Sequence, residues 1–135
     1  MKKKSPIRER LDKYKELLAE IRIEEQRAKA IKEDGSLTTR RALAGIKDRL
    51  CELLDQEQTE YEALTDIINA LPCAEQRQVL LARYMDEQKW PIITALIFGE
   101  KEDYTERQDS YKRQIYRIHG YALANANRII TRAKQ

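Results

Sequence analysis

Between residues 43 and 71 apolar side chains return at intervals of three and four: Leu43, Ile46, Leu50, Leu53, Tyr61, Leu64, Ile67 and Leu71, with Glu57 as the one polar interruption. An α-helix turns once every 3.6 residues, so this spacing gathers the whole set on one stripe, whereas a strand would scatter it over both faces. A helix of about four heptads with such a seam has to lay it against another element. The preceding segment supplies one. Ile7, Leu11, Tyr14, Leu18, Ile21, Ala28 and Ile31 recur in steps of three, four or seven. Ser5 before Pro6 marks the start, because a serine oxygen accepts an orphan backbone N–H and proline at the first helical position gives up nothing. Asp34, Gly35 and Ser36 supply the break. A first helix is therefore expected over about residues 6 to 33, a short connection over 34 to 39, and a second helix folding back antiparallel.

Pro72 stops or restarts that helix, because proline lacks an N–H and disfavours helical geometry in Leu71. A hairpin over residues 1 to 71 and a three-helix module over residues 72 to 135 are expected. The module begins with a short helix from about Cys73 to Asp86 carrying Val79, Leu80, Ala82 and Tyr84, followed by a polar break to Lys89. Trp90 and Pro91 open a second helix whose residues Ile92, Ile93, Ala95, Leu96, Ile97 and Phe98 are nearly all apolar, so it is expected to be buried on most sides and to close at Gly99. Gly99 to Ser110 is rich in charge and reads as a solvated loop. The last helix runs from about Ser110 into the 130s, with Tyr111, Ile115, Ile118, Ala122, Ala126 and Ile129 on one face. With 4 Gly and 3 Pro in 135 residues there is little turn-forming material for a β-protein, and the fold class is all-α.

The net charge of +3 conceals an uneven distribution. Residues 105 to 135 hold seven Lys and Arg against two Asp and Glu, a balance of +5, while the remainder is slightly acidic. Positive charge collected at one end suits a polyanionic partner. No stretch reaches the roughly 20 apolar residues that span a bilayer, and the first residues lack a signal-peptide core, so a cytoplasmic protein without a membrane partner is expected. Cys51 and Cys73 are expected as buried small apolar residues rather than a disulfide. Lys2, Lys3 and Lys4 are expected to be a solvated terminus rather than a phosphate-reaching arm.

Catalysis has little to work with. His119 has no cysteine or carboxylate at ligand or triad spacing and no glycine-rich phosphate loop is present, so neither enzyme activity, metal nor cofactor is expected. His119 reads instead as a helix residue near the junction with the preceding helices. The face of the last helix opposite its apolar side carries Lys112, Arg113, Tyr116, Arg117 and Gly120. Three short helices, the middle one apolar and the last basic at its start, follow the order of a helix-turn-helix, which inserts the start of its last helix into the major groove. Arg113 and Arg117, one turn apart, are then candidates for guanine edges or phosphates, Lys112 for phosphate, and Gln114 and Tyr116 for backbone or bases.

Arg83-Tyr84, then Trp90, Ile92 and Ile93, and further on Ile115, Tyr121, Ala122 and Leu123, resemble the helix-turn-helix of sigma-factor region four. More narrowly, the run from Arg113 to Leu123 is similar to small phage and prophage proteins of Gram-positive bacteria grouped with sigma-like late transcription regulators. The resemblance covers about residues 70 to 130. It implies double-stranded promoter DNA as ligand and RNA polymerase as partner, with Lys112, Arg113, Tyr116 and Arg117 facing DNA and Trp90, Ile93, Leu96, Ile115 and Leu123 in the core. The connection from Gly99 to Ser110, longer than a standard helix-turn-helix turn, offers Lys101 and Arg107 as further contacts to the DNA backbone. The hairpin is expected to make a homodimer or to contact polymerase. The competing expectation is a helical adaptor that acts through the hairpin without binding DNA.

Overall fold

The computed structural model describes residues 5–133, and among them the chain is all-helical, without a strand. Helices α1 (Pro6–Ala30) and α2 (Leu37–Asn69) are long; α3 (Ala74–Leu80) continues into a π-helical turn, Leu81–Met85; α4 (Trp90–Phe98) and α5 (Gln108–Ala133) follow. Lys2 to Lys4 lie outside the described residues.

Two compact units result, and they do not divide at Pro72. One is the outer part of the two long helices, Asp12–Glu62; the other joins the start of α1, through Leu11, to everything described from Ala63 onward. Within the first unit, two contacts give the pairing of α1 and α2. The Tyr14 hydroxyl donates to Glu57 Oε2 at 3.4 Å, and Arg49 meets Glu20 at 3.1 Å. Glu57 is thus no defect in the seam: Tyr14 is only 4% exposed, and its hydroxyl needs an acceptor there. Both pairs are centred on residue 35, where Gly35 takes φ 77°, a left-handed conformation that glycine adopts without penalty. Asp34 Oδ1 accepts the Ser36 N–H, and Ser36 Oγ caps α2 by accepting the Thr39 N–H. The hydrogen bonds from Ser36 and Thr39 hold the Asp34 carboxyl down at about 2. α1 ends at Ala30, one turn short of residue 33, and Tyr61 stays 40% exposed while Ile68 rather than Ile67 is fully buried. The 3.6-residue period drifts from a strict three-four repeat, and over four heptads the contacting stripe moves by about one position.

In the second unit Val79, Ala82, Ile93, Phe98 and Ile115 form a core that Trp90, Ile97, Tyr104, Tyr111 and Ile118 extend. The start of α1 is tied to this unit through Ile7. Ile7 is fully buried, and its N–H, which no residue of its own helix can accept, donates to Asn127 Oδ1 on α5 at 2.9 Å. Further along α5 the inward positions are Ala122, Ala126 and Ile130, with Ile129 half-buried.

Several expectations change. Leu96 is 68% exposed, not core, and α4 is buried along one side only: Ile93, Thr94 and Phe98 face inward while Ile92, Ala95 and Leu96 face solvent. A helix on the outside of a small module has neighbours on one side, however apolar its other side is. Trp90 and Leu123 are half-buried. Cys51 is exposed and Cys73 half-buried, both as free thiols. The stretch after Gly99 is a run of turns rather than an open loop, closed by Arg107 N–H bonds to Asp103 and Tyr104 carbonyls. It is anchored by the Tyr111 hydroxyl donating to Asp103 and by stacking of Tyr104 and Phe98 on Tyr111, and α5 begins two residues early, at Gln108.

Candidate nucleic-acid interface

α5 is the element on which the candidate residues meet. Its core side is set by Ile115, Ala122 and Ala126, each with no exposed surface, and this fixes where the other side points. At about 100° per residue, Arg113, Tyr116, Arg117 and Gly120 fall together on the side away from that core, with Lys112 at one margin. All five are exposed. Gln114, also exposed, flanks Arg117 one turn away on the opposite side of this face from Tyr116.

Tyr116 is the member of this face whose orientation is fixed from outside the helix. Its ring meets Trp90 edge-on, with centroids 5.2 Å apart and planes at 70°. Trp90 also meets His119 edge-on at 4.9 Å, and the Arg83 guanidinium lies 4.7 Å from its ring centroid. A cation over an indole face is an attractive arrangement, and it keeps Arg83 partly desolvated and in place. Arg83 also donates to the Gln88 carbonyl at 3.1 Å. The cationic surface therefore runs from α5 across Trp90 to Arg83 on the π-helical turn. Sequence reasoning missed Trp90 as the partner of Tyr116 and Arg83 as the cation over Trp90; their only signal was a shared short motif, which says nothing about which side they occupy.

His119 lies behind this surface. Its Nε2 and the Tyr84 hydroxyl are 2.7 Å apart, and Tyr84 also accepts a 2.8 Å bond from Arg8 of α1. Burial, and then the charges of Arg8 and Arg83, push the imidazole down to about 4, so at neutral pH it is uncharged. The imidazole packs between the Tyr84 ring, stacked on it at 5.8 Å, and the Trp90 indole. It ties α1, the π-helical turn, α4 and α5 into one unit.

The turn residues divide. Arg107 and Arg113 line one shallow polar concavity with residues 105 to 110, at the start of α5, whereas Lys101 is exposed outside it. Arg107 has Asp103 at 3.6 Å, and Glu106 and Asp109 line the same concavity, so its positive field is weaker than two arginines alone would make it. Among the described residues there is no group of three or more His, Cys, Asp or Glu placed to hold a metal ion. None of their helices is long and apolar enough to cross a membrane.

No family model matches this chain, and no curated protein or solved structure is significantly similar to it.

Proposed function

We propose that this protein is a DNA-binding transcription regulator in which α5 enters the major groove of duplex DNA. The observation that carries the reading is the exposed face of Arg113, Tyr116 and Arg117, held by a core of Ile115 and Ala122 behind it and by Trp90 beside it. Arginines one turn apart on a rigid helix match the reach of guanine edges and phosphates, and a ring packed on Trp90 approaches DNA with little entropy left to lose. α4 packs against α5, as a supporting helix must if the reading helix is to hold its angle. Arg83 adds a cation at the margin of the same surface. On the resemblance read in residues 70 to 130 alone, the reading takes promoter DNA as the target, a cytoplasmic site of action and RNA polymerase as a further partner.

The test is retention of duplex fragments from the gene's own neighbourhood at about 50 and 200 mM salt, comparing the protein with its Arg113→Ala, Arg117→Ala double variant. Each lost phosphate contact lowers the salt slope by about 0.9, and each lost guanine contact costs about 1–3 kcal/mol. Selective retention that weakens at least about thirtyfold in the variant supports the reading. Equal weak binding by both proteins to every fragment refutes it. That outcome favours the adaptor reading, for which the hairpin offers exposed apolar side chains at Ile23, Leu54 and Tyr61.

A further inference from the structure

The outward side of α4 meets solvent without a polar side chain. Ile92 is 48% and Leu96 68% exposed, and Ala95 and Gly99 fill the space between and beyond them. These positions follow the i, i+3, i+4, i+7 order of a single stripe, directly opposite Ile93, Thr94 and Phe98 in the core. Exposed apolar residues on α1 and α2, by contrast, are interspersed with charged side chains. An amphipathic surface helix puts polar residues where α4 has these, and a helix that is apolar all round is normally covered on all sides. The exposed charges next to the two ends of the stripe are of opposite sign, Lys89 before the helix and Glu100 after it, with Asp86 and Glu87 farther out at one end and Lys101 and Glu102 at the other.

We propose that this face pairs with the same face of a second copy, α4 against α4 in antiparallel fashion about a twofold axis near Ala95. The charges choose the occupant. When one copy of the stripe is turned end for end over another, Ile92 of each meets Leu96 of the other, and Lys89 of each meets Glu100 of the other. The surface is complementary to itself in both apolar pattern and charge, as a twofold interface requires. Ala95 and Gly99 are small enough for the two helix backbones to approach closely. The contact is small. A nine-residue helix is about 13 Å long, so the pair buries well under the roughly 1,200 Å² of a stable complex, and the dimer is weak and concentration-dependent. This locates self-association on α4 rather than on the hairpin. It needs no DNA and stands or falls apart from the DNA reading.

The experiment is sedimentation velocity of the full chain without DNA from about 5 to about 500 µM, with disulfide trapping at the axis. The wild-type mass should rise from 15.9 kDa toward twice that value as concentration increases. Leu96→Asp should stay monomeric over the range. Lys89→Glu should weaken the dimer at least about tenfold, and adding Glu100→Lys should restore it to within about twofold, because reversing both charges keeps the pairing. Ala95→Cys, in a Cys51→Ser, Cys73→Ser background, should form a disulfide-linked dimer under mild oxidation. A wild type that stays monomeric at the highest concentration with no trapped Ala95→Cys dimer overturns the proposal. So does a dimer that Leu96→Asp leaves intact, which would place the contact elsewhere. The charge-reversal pair keeps the result decisive if Leu96→Asp fails to fold.

Discussion

The start of α1 has two candidate caps, and the structure ranks them against intuition. Ser5 is the residue a sequence reading selects, but its Oγ is 3.4 Å from the Arg8 N–H in an exposed position where water competes for the same donor. Asn127, 120 residues away, accepts the Ile7 N–H at 2.9 Å in a part-buried setting. Replacing Asn127 with Ala removes the acceptor while Ile7 stays buried, so the N–H loses its partner where water reaches it poorly. Leaving such a donor unsatisfied costs about 1–3 kcal/mol, and the bond's partial exposure puts the expected loss near 1.5 kcal/mol. Ser5→Ala should cost about 0.5 kcal/mol, the low end for a cap whose donor water can replace. Urea denaturation at neutral pH, followed by helical circular dichroism, measures both. Asn127→Ala should lower the midpoint about three times as far as Ser5→Ala with an unchanged m-value. If Ser5→Ala costs as much as Asn127→Ala, the start of α1 is held by its own turn and not by α5, and the assignment of residues through Leu11 to the C-terminal unit loses its main energetic support.

Further outcomes follow from the same geometry. His119 is uncharged in the folded protein, with its pKa down at about 4 against an ordinary 6.5, so the unfolded chain takes up a proton first. Stability should be constant above about pH 6.5 and fall as pH drops toward 4, and His119→Gln should flatten that part of a stability-versus-pH curve measured by chemical denaturation. Leu53, 1% exposed on α2, is one of the few fully inward side chains of the hairpin unit, and Leu53→Ala should destabilise it by about 2–4 kcal/mol, read as earlier loss of amide protection in residues 12 to 62. A Cβ added at Gly45 or Gly120 meets nothing within 4 Å, so Gly45→Ala and Gly120→Ala should each stabilise their helix by up to about 1 kcal/mol in thermal melts. Under the proposed DNA reading, only Gly120→Ala should also weaken retention of duplex DNA, because Gly120 shares the face of Arg113 and Arg117.

Much of the architecture was legible because it is written in local periodicity. Three- and four-residue spacing marked α1, α2 and α5, Ser5-Pro6 and Asp34-Gly35-Ser36 marked a start and a break, and the basic side of α5 could be read as a stripe before any packing was known. These signals act between neighbours in the chain, so the order of residues suffices to state them. Which side of each helix finds company is another matter. α4 is apolar at almost every position, and no pattern within it distinguishes Ile93, fully buried, from Leu96, left in water. That difference depends on where α5 and the π-helical turn lie. Gln114 and Tyr116 sit on opposite flanks of the outward side of α5, and only the position of Ile115 in the core shows which flank each occupies.

Helicity, most helix boundaries and the gathering of positive charge on one face of α5 are contained in the order of residues. That Ile7 hangs from Asn127, that Trp90 sets Tyr116 and carries Arg83, that His119 is neutral, and that one side of α4 is left uncovered all depend on how the helices pack. The difference is one of range. Helix formation and its breaks are settled by hydrogen bonds and side chains within about one turn, whereas burial, capping across helices and the ionisation of an imidazole depend on atoms that folding brings together from 35 to 120 residues away.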